Sequence, residues 1–166
     1  MRNRKGAVTI EFALVGVPLI FAIVSIVQMS QAMWTYFTQA YAINGALRYV
    51  VVHGEHCAES GNTCTVTVGN IASQIAALGS GLAPGSWNVK LISATPANSV
   101  TCNPLSSCSG KLTVWPPSPD NKVGTAVAIS GSYPFQSALM MFWPGAKPTT
   151  FGTYNMTAYG QHVMEF

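Results

Sequence analysis

Residues 12–47 contain no Asp, Glu, Lys or Arg, an apolar run bounded by Glu11 on one side and Arg48 on the other. Its inner part, residues 7–28 (AVTIEFALVGVPLIFAIVSIVQ), meets the roughly 20 apolar residues needed to carry a helix across a ~30 Å hydrocarbon core. From residue 29 to about residue 52 the period stays helical but the pattern turns amphipathic. Met33, Tyr36, Phe37, Ala40, Ile43 and Leu47 recur at spacings of three and four, and Gln28, Gln31, Thr35, Gln39 and Asn44 supply the other face. Trp34, Tyr36 and Tyr41 suit the outer membrane interface, where aromatic rings settle at headgroup depth. The pattern predicts one long helix, in lipid over its inner half and packed under a head over its outer half, with Gly54 as its stop. Pro18 removes a backbone donor beside Gly16, so a kink is expected there.

Beyond residue 54 the periods shorten. Val68, Ile71, Ala72, Ile75, Ala76 and Leu78 fall on one face of a short helix, with Thr67 or Asn70 as cap and Gly79 as stop. Residues 87–94 (WNVKLISA) alternate as a strand, and residues 111–115 (KLTVW) read as a second, short one, broken by PPSPDN. The clearest alternation is residues 122–135, with Val123, Thr125, Val127, Ile129, Gly131 and Tyr133 on one side. A last strand over residues 151–166 alternates through Met156, Ala158, Gly160, His162 and Met164 and is expected to pair antiparallel with it. Between them, Leu139, Met140, Met141, Phe142 and Trp143 form an apolar connection that fits a partner or a membrane better than water. The fold class is therefore α+β. The domain plan is a leader at residues 1–6, a helix at 7–54 with its membrane part at about 7–28, and an extracytoplasmic head at 55–166 built of an antiparallel sheet and a short covering helix.

Charged residues make up only 8% of the chain against a usual ~25%. Removing residues 1–6 takes Arg2, Arg4 and Lys5 with it and leaves five basic against five acidic side chains, so nothing resembles a phosphate-gripping stripe and no nucleic acid is expected. The four cysteines, Cys57, Cys64, Cys102 and Cys108, all follow the apolar run, which suits disulfides in an oxidising space. Three pairings are possible; the short spacings favour Cys57 with Cys64 and Cys102 with Cys108. Basic residues before the span and cysteines after it agree on a cytoplasmic amino terminus. The cluster His53, Glu55, His56, Cys57 and Glu59 matches no zinc spacing, so a disulfide-clipped polar loop is expected there and no metal. No Ser-His-Asp signature, phosphate-binding glycine loop or paired carboxylates stand out. Catalytic residues, cofactors and enzymatic activity are not expected.

Two readings fit the amino terminus. In one, the apolar run is an uncleaved signal anchor and Glu11 reaches for the cytoplasmic interface. In the other, the order basic leader, Gly6, four uncharged residues, Glu11 and Phe12 is similar to a type IV prepilin site. That resemblance implies cutting between Gly6 and Ala7 by a prepilin peptidase, retention of the helix, and a pairing of Glu11 with the new amino group of a neighbouring subunit that sets axial register. A buried carboxylate is tolerable when so paired.

With the helix end INGALRYVVVHG and the strands KVGTAVAISGSYPF and YNMTAYGQHVMEF added, the chain resembles the TadE-like pseudopilins, minor pilins of the tight-adherence pilus. Ala7 stands where major type IV pilins commonly have Phe, and Phe12 rather than Tyr follows Glu11, both pointing to a minor subunit. The resemblance implies a non-enzymatic part in priming, assembling or capping the pilus. Its partners would be other pilin or pseudopilin subunits through the helix, the prepilin peptidase, the assembly platform and the lipid bilayer. It implies a single-pass place in the bacterial inner membrane with a periplasmic head, with entry into the filament as a later step. A membrane-anchored adhesion or binding module that never joins a filament is the alternative.

Overall fold

A computed structural model of the chain describes residues 5–61, 64–137 and 152–165. The apolar stretch at residues 138–151, including Leu139–Trp143 of the sequence reading, lies outside the described residues. The chain divides into two units, Met1–Trp34 with Gln136–Thr153, and Thr35–Phe135 with Tyr154–Phe166. One helix, α1 (Lys5–Val51, 47 residues), contributes to both and runs for ~70 Å. Pro18 lies inside it.

In the first unit, α1 shows its apolar side chains to the surroundings; Ile10, Phe12, Leu19 and Ile26 are all exposed. The hydroxyls of Ser25 and Ser30 donate to the carbonyls of Phe21 and Ile26 one turn back, which satisfies them inside the helix. At the far end of this stretch, Ser137 Oγ donates to Gln28 Oε1 at 2.6 Å.

The second unit is the head. Its sheet is four-stranded and antiparallel, built from β1 (Asn88–Ile92), β2 (Val100–Cys102), β3 (Ala126–Ser137) and β4 (Gly152–Val163) in the order β2-β1-β3-β4. Register is fixed by the pairs Val89↔Cys102 and Val89↔Gly131, which put Val89, Leu91 and Ile129 on the core face and Lys90 on the open face. The short helix α2 (Val68–Leu78) buries Val68, Ile71, Ala72 and Ile75. Thr67 caps it by accepting from the Asn70 N–H, and Gly79 closes it. Residues 111–115 form no strand of the sheet; they make one isolated bridge, Thr67↔Val114, and backbone hydrogen bonds from Val68 N to the Thr113 carbonyl, from Gly69 N to the Lys111 carbonyl and from Trp115 N to the Val66 carbonyl. Leu112 and Val114 point outward, so this segment lacks a buried face to hold a ladder.

The outer half of α1 corrects the face expected from its period. Ile43 and Leu47 are buried with Ala42, Ala46 and Val50, but Met33, Tyr36 and Phe37 are exposed, while Thr35 and Gln39, expected on the polar side, are buried. The cause lies in the sheet. A Cβ at Gly131 would come within 2.8 Å of Ile43 Cδ1 and of Trp87 Nε1, and one at Gly160 within 2.7 Å of Leu47 Cδ1. Helix and sheet meet across two glycines, so the side chains that fit are small or slender, and the bulky aromatics turn away.

That choice leaves the Gln39 amide fully buried with neither its nitrogen nor its oxygen hydrogen-bonded among the described residues, beside an equally unpartnered Trp87 Nε1. An unsatisfied buried amide costs about 1–3 kcal/mol. Gln39→Met keeps the volume and removes the polar atoms, so it is expected to raise the stability of the head by about 1–2 kcal/mol. Thermal melting of the full chain in detergent reads the effect; a lower midpoint would mean that the amide makes a bond worth keeping.

A polar knot closes the other end of the head. Asp120, buried to 3% exposure, accepts from Ser93 Oγ at 2.7 Å, Thr95 Oγ1 at 2.8 Å, Thr95 N at 3.1 Å and Asn98 Nδ2 at 2.8 Å. The Asn98 carbonyl in turn accepts from Trp115 Nε1. One carboxylate thereby ties the end of β1 to the turn before β2 and to the Pro-rich loop.

Candidate functional site

The feature that sets this chain apart from an ordinary small α+β domain is the surface of α1, so the site is built from there. Large apolar side chains are exposed from Ile10 to Tyr41, Trp34, Tyr36 and Phe37 among them. The most apolar 18-residue window of α1 is 0% buried within the protein itself. At 1.5 Å per residue this exposed stretch covers roughly 45 Å, against ~30 Å for a hydrocarbon core. The helix is long and apolar enough to cross a membrane, and its apolar surface outruns one.

Gly6 and Ala7 lie in the first turns of α1, and Glu11 and Phe12 follow on the same helix, both exposed. The fold places this short stretch ahead of an unbroken helical segment, with Arg48 in its last turn as the next charge. Chemically the arrangement offers one carboxylate on an apolar rod, able to recognise a cation that approaches along it.

The cysteines lie in the head. Cys57 bonds Cys64 and Cys102 bonds Cys108, with Cα–Cα distances of 5.3 and 5.5 Å. The first bridge clips the polar loop that follows α1. The second closes the loop between β2 and the stretch after residue 108, with Cys102 and Cys108 both inside the core. Among the described residues no group of three or more His, Cys, Asp or Glu side chains gathers as a metal would need.

Two further features were not legible in the sequence. A groove of about 310 Å³ between α2 and the second disulfide loop is lined by Ala72, Ser73, Ala76, Pro84, Leu105, Ser106 and Ser109. No side chain there titrates, so the groove supplies no acid, base or charged ligand. Asp120 does carry charge, and burial alone would raise its carboxyl. The hydrogen bonds from Asn98, Ser93 and Thr95 outweigh that and bring it down to about 2. With its oxygens taken up by donors from the fold, it serves as a structural anion and not as a proton carrier.

Compared with known proteins, residues 6–48 match the family described as TadE-like protein, a pilin-like family associated with the tight-adherence pilus. Neither a curated protein nor a solved structure matches the chain. The matched segment coincides with the helix that carries the exposed apolar surface.

Proposed function

We propose, from a chain that is TadE-like over residues 6–48, that this protein is a minor pilin that primes, assembles or caps a tight-adherence pilus by packing α1 among the helices of other subunits. The observation that supports the reading is the exposed apolar surface of α1, longer than the hydrocarbon core of a bilayer. Lipid accounts for the inner part; neighbouring helices account for the rest. Arg2, Arg4 and Lys5 favour a cytoplasmic amino terminus, and the bonded cysteines suit a head in the oxidising periplasm.

On this reading a prepilin peptidase cuts between Gly6 and Ala7, and the freed amino group of Ala7 becomes the cation that a neighbour's Glu11 meets. The role is structural, fitting a groove without titratable groups and a saturated Asp120. Gly6→Ala is expected to leave the protein in the membrane but to block its conversion to the shorter form, seen as slower gel migration and loss of piliation. Unchanged migration with normal piliation would favour a membrane-anchored adhesion module that never enters a filament.

A further inference from the structure

We propose that the outer edge of β4, from Thr157 to Val163, takes up an extended segment of a different chain as a fifth strand of the head. β4 ends the strand order β2-β1-β3-β4, so one of its edges pairs with β3 and the other has no strand beside it among the described residues. Which backbone groups face that side follows from Met164. Its N–H donates to the Thr125 carbonyl at 2.9 Å and its carbonyl accepts from Gly124 N at 3.0 Å, both just before β3. In an antiparallel ladder such double bonding falls on every second residue. His162, Gly160 and Ala158 therefore also turn their backbone to β3, and Val163, Gln161, Tyr159 and Thr157 turn theirs outward. The alternation of burial is unbroken over the same stretch: Ala158, Gly160 and Met164 are buried, and Thr157, Tyr159, Gln161 and Val163 are exposed. The next outward amide, that of Glu165, donates to the Val51 carbonyl at 3.3 Å, so the end of α1 closes the edge there. What remains open is a row of N–H and C=O groups ~20 Å long.

An open edge is a template for another strand, and proteins usually guard one with Pro, charge, a bulge or brevity. The opposite edge of this sheet is so guarded: β2 is only Val100–Cys102, set between Pro96 and Pro104. Residues 152–163, by contrast, contain no Pro, Lys, Arg, Asp or Glu. Two features of the head point to a different chain and not to a second copy. First, β4 runs in the same sense as α1, since a Cβ at Gly160 would touch Ile43, Asn44 and Leu47, and Glu165 meets Val51 further along both. Antiparallel pairing of two β4 strands, the more stable kind, would set the two α1 helices in opposite senses, whereas the basic leader favours one orientation for every copy. Second, β2 of another copy is too short to cover the row. The segment that fits is uncharged and about seven residues long, with small or apolar side chains beside Met156, Ala158 and Gly160 and β-branched or polar ones beside Thr157, Tyr159, Gln161 and Val163. This partner is additional to those that meet α1; only the exclusion of an inverted copy rests on the membrane-helix reading above.

The full chain in detergent, without other pilus proteins, is probed with a capped peptide of alternating threonine and valine, and amide hydrogen exchange is read residue by residue by NMR. In the chain alone the outward amides of Thr157, Tyr159, Gln161 and Val163 are expected to exchange about tenfold faster than the inward ones of Ala158, Gly160 and His162. Equal protection would mean that the edge is already covered, and protection that rises with protein concentration would assign it to a second copy; either overturns the proposal. With the peptide at millimolar concentration the outward amides are expected to slow about tenfold, while the same peptide N-methylated at every amide leaves them unchanged. No slowing, or equal slowing by the methylated peptide, also overturns it. Gln161→Pro removes one outward donor and no bond to β3, so it should weaken peptide binding about tenfold with a thermal midpoint near that of the parent. Undiminished binding counts against the edge, and the methylated peptide keeps the test independent of that variant. Cleavage and piliation play no part in these measurements, so their failure leaves the pilin reading standing, and an uncut chain that still takes up the peptide spares the edge.

Discussion

Asp120→Asn is expected to lower the thermal midpoint of the head by on the order of 10 °C, through a loss of about 2–4 kcal/mol. The carboxylate takes hydrogen bonds from Ser93, Thr95 and Asn98 and has no counter-cation among them, so these neutral donors alone offset its burial. An Asn amide turns one acceptor into a donor facing donors, and a buried group is left unpaired. The pH dependence carries the same signature. The carboxyl stands at about 2 in the folded chain against an ordinary 3.8, so its stabilisation is present above 3.8 and is lost as pH falls from there toward 2. Melting the parent and the variant across that range should show the parent losing stability more steeply. Parallel curves with equal midpoints would remove Asp120 from its place as the knot of the head.

Glu11→Gln is expected to reduce recovery with pilus partners by about tenfold, equivalent to ~1.4 kcal/mol, while membrane level, orientation and cleavage stay near those of the parent. A lone carboxylate near the start of the span can stay at the interface, and residues 12–47 are apolar enough to hold the helix there. On the proposed reading the situation changes among packed helices, because excluding water would strengthen an attraction to the freed amino group of a neighbour's Ala7. Gln keeps the shape and removes the charge, so the substitution separates pairing from packing. Equal recovery of variant and parent in quantitative pull-downs would mean that register is set by side-chain packing.

The extent of α1 was legible because absence of charge over residues 12–47 is a signal that needs no tertiary context. So was α2, whose cap at Thr67 and stop at Gly79 are local devices, and so were β3 and β4; β4 keeps the alternation of one covered face, whereas β3 buries Ala128 as well as Val127 and Ile129. The docking face of α1 was not. On a helix uncharged all round, hydrophobicity no longer selects a side, and the choice fell to the close approach at Gly131 and Gly160, two positions far away in sequence. β2 was hidden for a different reason: three residues, Val100–Cys102, show no period, and only pairing with β1 makes them a strand. Asp120 reads as loop punctuation in PPSPDN until Ser93, Thr95 and Asn98 are seen around it. At the amino terminus, Gly6, Ala7, Glu11 and Phe12 were picked out by their order alone, and the role proposed for them depends on molecules that meet the helix from outside.

If α1 is cut and then packed as proposed, the intact mass of the protein recovered from its native membranes shows it. The expected mass is that of a chain beginning at Ala7, with the leader of residues 1–6 gone and both disulfides retained. A mass that includes Met1 through Gly6 would contradict it and return α1 to the role of a plain anchor.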